Sequence, residues 1–453
     1  MYSCQQVLVS QNNDLINILT FLCEESHKLT NMGIYLARQL YFKAKKIIGK
    51  YDLEKEYKTN NHYKVLHSQA AQQALRSVAE SFASYKKLVK AYKQGEITDR
   101  PRVPNYRKKG GKASVSYPKQ ALKLKDNTVV TSTGGNLQRR DLQIRVPLGK
   151  TCKCWFGKGS FYIPMPSNLD FASIKELRIL PRNKCFYFEF VYIKKVEKVK
   201  LESNNVLGID PGLNNWLTGV SNVETSFIID GKHIKSMNRW YNKQVSTIKE
   251  NKPQGFWTNK LAAITEKRNR QMRDGINKAA KIVISHCIEN NIGIVVFGWN
   301  KRNKDSINIG KKNNSEFVPI PTARLKDRIA TLCEQYGIQF FETEESYTSK
   351  ASFLDGDYLP THGEKPDDWK PSGRRTKRGL YRVGYGQWYL NADCNGAANI
   401  IRKVSRTLGL ELSRLSRGVL SHPQRYRLWS VNGNVEGGDF SPPEDIRLES
   451  PRL

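Results

Sequence analysis

Two aspartates lie where their local sequence patterns could bring carboxylates together for metal-ion chemistry. Asp210 ends the apolar run Val206-Leu207-Gly208-Ile209-Asp210 and is followed by Pro211-Gly212. Asp393 lies in Asn391-Ala392-Asp393-Cys394-Asn395-Gly396-Ala397-Ala398-Asn399-Ile400. The first reads as the end of a buried strand and the second as the start of a helix. Alone, Asp210 is a strand-end turn residue and Asp393 a helix cap favoured by the dipole. Together with a third acid they can hold two Mg²⁺ ions about 3.5–4 Å apart and hydrolyse a phosphodiester. The end of the second core strand, Val295-Val296-Phe297-Gly298-Trp299-Asn300, offers no acid. The neighbouring strand end reads Glu342-Thr343-Glu344-Glu345-Ser346-Tyr347-Thr348-Ser349-Lys350. Parallel strands lie ~4.8 Å apart, so a glutamate one strand out reaches back if the chain bends inward. A metal would also ease the like charges crowded there. Chemistry alone leaves this level with two surface glutamates after an edge strand.

The elements that must position these acids follow an α/β pattern from Val206 onward. Three strands come first, at 206–210, 216–221 and 226–230. A basic helical stretch over 237–290 follows, broken near Lys252-Pro253-Gln254-Gly255. Then come a strand (292–298), a helix (322–336), a strand (337–343) and a final helix near Asn395. That is the order of a ribonuclease-H-like fold. Upstream, apolar residues recur at helical spacing from Leu15 to Gln94. Between 95 and 200, turn residues separate short β-like runs at 114–117, 128–133, 142–146, 152–156, 160–163, 174–180 and 185–193, the pattern of an antiparallel sheet or small barrel. After Arg406 the chain is polar, with Gly437-Gly438 and Pro442-Pro443, and reads as a loose tail.

The 453 residues leave room for about three domains. Lys and Arg number 75 against 42 Asp and Glu, a formal net charge of +33, while 39% apolar residues suffice for real cores. Such a charge on folded domains calls for an anionic polymer, with nucleic acid the first choice and a membrane surface the weaker one. No run of ~18 apolar residues spans a membrane. The start is polar and lacks the pattern of a secretory signal. The eight cysteines form no C-x-x-C pair and suit free thiols in a reducing cytosol. Cytoplasmic, prokaryotic localisation is the expectation.

The motifs Gly208-Ile209-Asp210-Pro211-Gly212, Glu345-Ser346-Tyr347-Thr348-Ser349-Lys350 and Asp393-Cys394-Asn395-Gly396-Ala397-Ala398-Asn399-Ile400 resemble the split RuvC motifs of the TnpB family, relatives of Fanzor nucleases and type V CRISPR effectors. Ser236-Met237-Asn238-Arg239-Trp240-Tyr241-Asn242-Lys243, Gly298-Trp299-Asn300-Lys301 and the run from Lys311 to Pro321 support it. The resemblance implies an α+β multidomain protein. A RuvC nuclease domain (201–348, completed by 391–405) follows a β-barrel wedge (1–14 and 101–200) with an inserted helical recognition lobe (15–100). Residues 349–390 are then an inserted segment that binds target nucleic acid, and 406–453 a flexible tail.

The implied activity is RNA-guided, Mg²⁺-dependent DNA cleavage at one RuvC site, after recognition of a short motif beside the target. The partners are a guide RNA and target double-stranded DNA, with monomer or dimer left open. Asp210, Glu345 and Asp393 carry the catalytic and metal-binding roles, with Glu344 as the alternative, because the family's usual glutamate position is Gly298 here. The family's zinc cysteines are missing from 349–390, so no structural zinc is expected. Nucleic-acid contacts are assigned to Tyr106, Arg107, Lys108 and Lys109, to Arg268, Arg270 and Arg273 with Lys267 beside them, and to Arg374, Arg375, Lys377 and Arg378. The alternative is a catalytically inactive RNA-guided DNA-binding protein, a repressor or recruitment module.

Overall fold

A computed structural model describes residues 2–9, 12–126, 142–194, 198–300, 320–386 and 388–429. The described residues divide into two compact units, one up to residue 194 and one from 198. Among them no helix is long and apolar enough to cross a membrane.

The first unit opens with β1 (Tyr2–Leu8) and four helices: α1 (Asn13–Ala44), α2 (Lys50–Tyr57), α3 (Asn61–Val65) and α4 (Ser68–Lys93). Asn12 caps α1 by accepting from the Leu15 N–H. Leu19, Leu22 and Leu29 of α1 and Ala71, Leu75 and Phe82 of α4 are fully buried, so the helical spacing marks the packed faces. The strands β2 (Val115–Pro118), β6 (Ile174–Arg182) and β7 (Cys185–Ile193) join β1 in an antiparallel sheet ordered β1-β7-β6-β2. β3 (Lys123–Asp126), β4 (Leu142–Pro147) and β5 (Ser160–Pro164) make a second antiparallel sheet. Tyr2 pairs with Ile193 and Leu8 with Tyr187, so all four helices lie between two strands that are sheet neighbours.

One expected strand is corrected here. Residues 152–156 lie in a helix, α5 (Lys150–Phe156), with the expected strand at 128–133 outside the described residues. Gly149 enters α5 in extended backbone and Gly157 leaves it left-handed at φ 61°. Those glycine brackets set a helix where the side-chain alternation alone reads as a strand.

The second unit is built on one six-stranded sheet. β8 (Glu202–Pro211), β9 (Asn215–Ser221) and β10 (Ser226–Asp230) form its antiparallel part. After α6 (Lys232–Lys249) and α7 (Asn259–Glu289), β11 (Ile292–Gly298) pairs parallel with β8. α8 (Thr322–Tyr336) leads to β12 (Gln339–Thr343), parallel to β11. A small sheet of β13 (Arg374–Lys377), β14 (Leu380–Arg382) and β15 (Tyr389–Asn391) precedes α9 (Ala392–Leu408).

The two faces of the large sheet bury different residues. Leu207, Ile209, Val295 and Phe297 pack with α7 and α8, while Val206, Ile294 and Val296 pack with Ala397, Ile400 and Ile401 of α9. Side chains alternate between faces along a strand, so Asp210 shares the α9 face with Val206 and Gly208.

The loose tail expected over 406–453 is corrected up to residue 429. α9 runs to Leu408, and α10 (Arg417–Ser421) and β16 (Gln424–Tyr426) follow. β16 adds to the sheet parallel to β10, with Phe227 opposite Gln424 and Ile229 opposite Tyr426. A few apolar anchors hold this polar stretch: Leu415, Leu420 and Leu428 are buried, and the Trp429 Nε1–H donates to Asp274 at 3.1 Å. Polar composition hid them.

Buried His286 of α7 lies edge-on to Phe227 and 2.8 Å from the Thr225 hydroxyl. Burial pushes its pKa from 6.5 down to about 4. The folded state therefore refuses a proton that the unfolded chain accepts. Stability is complete above pH 6.5 and declines as pH falls toward 4, by about 3 kcal/mol in total. Urea melts of the wild type at pH 7 and pH 4.5 check this against His286→Gln, in which that part of the decline disappears.

Candidate active site

The carboxylates assemble around the start of α9. Asn391 caps this helix, its side-chain oxygen accepting from the Asp393 N–H at 3.0 Å and the Cys394 N–H at 3.2 Å. The cap fixes Asp393 in the first turn, at the positive end of the helix dipole. Gly396, one turn on, lies over the end of β8. A Cβ there would stand 2.6 Å from Asp210 Oδ2, so glycine at this position leaves room for that carboxylate.

Asp393 is held through both oxygens. Asn215 of β9 donates to Oδ2 at 2.6 Å, and the Arg375 guanidinium of β13 donates to Oδ1 at 3.0 Å. Arg425 of β16 in turn donates to Asn215 Oδ1 at 3.1 Å.

The structure brings Glu345 rather than Glu344 toward Asp210. The Glu345 N–H donates to Asn300 Oδ1 at 3.0 Å, and Asn300 Nδ2 donates to Glu345 Oε1 at 3.2 Å. A Cβ at Gly298 would lie 3.4 Å from Glu345 Oε2 and 2.5 Å from Ile400 Cδ1. Glu345 thus occupies the space over Gly298 that a longer side chain there would claim. Glu344 instead forms an ion pair with the buried ammonium of Lys403 on α9. Burial raises the Glu344 pKa, but the bonds from Lys403 and Ser346 outweigh it and leave the carboxyl below its ordinary value.

Two buried asparagines of α9 hold the loop after Glu345. Asn395 Nδ2 donates to Ala351 O at 2.8 Å while its Oδ1 accepts from the Phe353 N–H at 2.9 Å. Asn399 Nδ2 donates to Thr348 O at 2.9 Å and to Ala351 O at 2.8 Å. Their i, i+4 spacing puts both on one helix face. Tyr347 sits left-handed at φ 64°, so the chain turns sharply at this loop. Asn395→Ala leaves the Phe353 N–H unpaired and costs about 2 kcal/mol, read as a lower melting temperature by calorimetry.

Burial, then the charges of Glu345 and Asp393, push the Asp210 carboxyl well above the ordinary range, against the pull of Arg375. Like charges that crowd a partly accessible edge are what a divalent cation relieves, and three carboxylates are the hard oxygen donors that Mg²⁺ prefers. The donor set fits. Among the described residues, no three His, Cys, Asp or Glu side chains already stand at metal-ligand spacing.

The basic residues singled out by sequence fall into separate classes. Tyr106, Arg107, Lys108 and Lys109 are exposed on the first unit, with the Arg107 backbone tied to the Asn31 side chain. Arg268 turns inward, donating to Asn238 Oδ1 at 2.7 Å and lying over the Tyr241 ring. Arg273 pairs with Glu266 at 3.6 Å, and the Arg270 Nε is buried. Arg374 and Lys377 are exposed on β13. Arg378 points its guanidinium at the side-chain amide of Asn214. Sequence reading gave no role to Asn215, Asn300, Lys403 or Arg425. Asn300 stands two residues after Gly298, whereas Arg425 falls in the polar stretch after Arg406.

Residues 189–304 match a family described as OrfB_IS605, a probable transposase. No curated protein matches the chain. A cryo-EM structure of a Cas12f1–sgRNA–target DNA complex is similar at 15% identity and TM-score 0.53, over 86% of this chain and 83% of that one. It shares the fold. A second similar structure is the mini-RNA-guided endonuclease CRISPR-Cas_phi3, at 9% identity and TM-score 0.44 over 89% and 92%.

Proposed function

We propose that this chain, which resembles the TnpB family and matches its transposase-type family model over 189–304, is an RNA-guided, Mg²⁺-dependent DNA endonuclease. The observation that carries the reading is the approach of Asp210, Glu345 and Asp393 from two strand ends and a helix start. The strand order, with β8 between β9 and β11, supports a ribonuclease-H-like RuvC domain. The pairing of β1 with β7 around the helices supports a wedge with an inserted recognition lobe. A charge of +33 suits a protein that holds a guide RNA and target DNA by their backbones while base pairing reads sequence.

In this reading Asp210, Glu345 and Asp393 hold two Mg²⁺ ions. When bound, Mg²⁺ supplies Lewis-acid stabilisation of the charge that develops as a phosphodiester is hydrolysed. Asn300 orients Glu345 through two hydrogen bonds. Asn215, steadied by Arg425, orients Asp393. The exposed stretch from Tyr106 to Lys109 and the exposed bases of β13 attract the nucleic-acid backbone.

The chain expressed with its flanking DNA is expected to retain one RNA species through purification. That RNA is expected to direct tighter binding to a matched DNA duplex than to a scrambled one, by gel shift. Equal affinity with and without the RNA contradicts the proposal. A catalytically inactive guide-binding protein is the second reading, and the hold of Arg375 on Asp393 is the observation in its favour.

A further inference from the structure

We infer that Arg375 is an exchangeable latch on Asp393, a positioning residue that couples metal binding to the arrival of a DNA phosphate. The inference rests on the metal-site reading above and concerns what controls that site.

Both Asp393 oxygens are engaged, Oδ2 by Asn215 and Oδ1 by Arg375. The two bonds differ in kind. Asn215 is neutral, lies in the sheet and is held by Arg425. Arg375 is a cation on an exposed strand of the small sheet, its side chain 45% accessible. It brings a positive charge where a metal ligand needs its lone pairs free. A cation at Oδ1 therefore competes with this guanidinium, and Asn215 need not move.

The small sheet can release Arg375 cheaply, because exposed arginine–carboxylate pairs contribute little. A guanidinium fork suits a phosphate as well as a carboxylate. A DNA phosphate at the cleft thus offers Arg375 an equivalent partner and frees Oδ1 for the metal. The exchange makes each ligand favour the other, and such coupling is reciprocal. The latch weakens metal binding at the site until substrate enters.

Calorimetric titration of the full chain with Ca²⁺, which takes the same oxygen ligands as Mg²⁺, tests this without turnover. The titration is run with and without a short single-stranded DNA, and with its uncharged methylphosphonate analogue. In the wild type the phosphate strand is expected to tighten Ca²⁺ binding by about fivefold or more, and the uncharged analogue to leave it unchanged. Arg375→Ala and Arg375→Gln are expected to bind Ca²⁺ about three- to fivefold more tightly without DNA, and to show coupling below about twofold. Wild-type affinity and coupling in both variants overturn the latch and leave the carboxylate site standing, provided Asp393→Asn weakens Ca²⁺ binding. Absence of Ca²⁺ binding in the wild type and in Asp393→Asn alike overturns the metal site and the latch together.

Discussion

Replacing Glu345 and replacing Glu344 are expected to have opposite signatures. Glu345→Gln keeps the bonds to Asn300, because the amide oxygen still accepts from Asn300 Nδ2 and the backbone N–H is unchanged. Its metal-free stability is therefore at or above that of the wild type, since a charge that faces Asp210 is removed, while guided DNA cleavage is expected to fall by at least about 10²–10³-fold, the scale for losing a group that stabilises transition-state charge. Glu344→Ala strands the Lys403 ammonium, whose side chain is 8% accessible, with Pro360 O as its remaining acceptor. Breaking a buried pair costs about 3–5 kcal/mol, and the partial exposure of Glu344 reduces this to about 2 kcal/mol. The melting temperature of the second unit then drops by about 4–8 °C. Its cleavage rate well below that temperature stays within about fivefold of the wild type. Paired calorimetry and cleavage assays separate the two. A Glu345→Gln protein that cuts normally removes Glu345 from the proposed metal triad.

Asp210→Asn is expected to gain stability as it loses activity. Burial and the charges of Glu345 and Asp393 raise the Asp210 pKa above 3.8 in the folded state. Between 3.8 and that higher value, the folded chain keeps a proton that the unfolded chain has released. Metal-free stability therefore falls as pH rises through this window, and the cost is complete above it. Asparagine carries no such cost. Without divalent cations, Asp210→Asn melts above the wild type at pH 7, and the gain shrinks toward pH 4. Adding Mg²⁺ stabilises the wild type by mass action and reverses the order. Cleavage by the variant falls by at least about 10²-fold. A metal-free variant that melts below the wild type at pH 7 contradicts this electrostatic account.

The sequence made the frame legible where period and punctuation agree. The run Val206–Asp210 and the cap Asn391 before Asp393 are local signals, and parity along β8 turns Asp210 toward α9. The choice between Glu344 and Glu345 was not legible. It depends on Asn300 and Lys403, 45 and 59 residues from their partners. It also depends on a left-handed Tyr347, a conformation that a tyrosine does not advertise. The stretch 152–156 alternates like a strand but is closed into a helix by flanking glycines. Arg425 sits in a polar stretch that three leucines and one tryptophan fasten to the core. Sequence marks Arg375 as an expected contact to nucleic acid; in the structure it grips a proposed metal ligand, which no spacing along 18 residues encodes.

The measurement that bears most directly on the central claim is cleavage of a plasmid by the chain purified with its co-expressed RNA. The plasmid carries a matching target beside a randomised flank, and Mg²⁺ is compared with EDTA. The account predicts cut product in Mg²⁺, none in EDTA, and none from Asp393→Asn in either. Guide-dependent binding of the same plasmid by the wild type, with the DNA left intact in Mg²⁺, would contradict it and leave an RNA-guided binding protein.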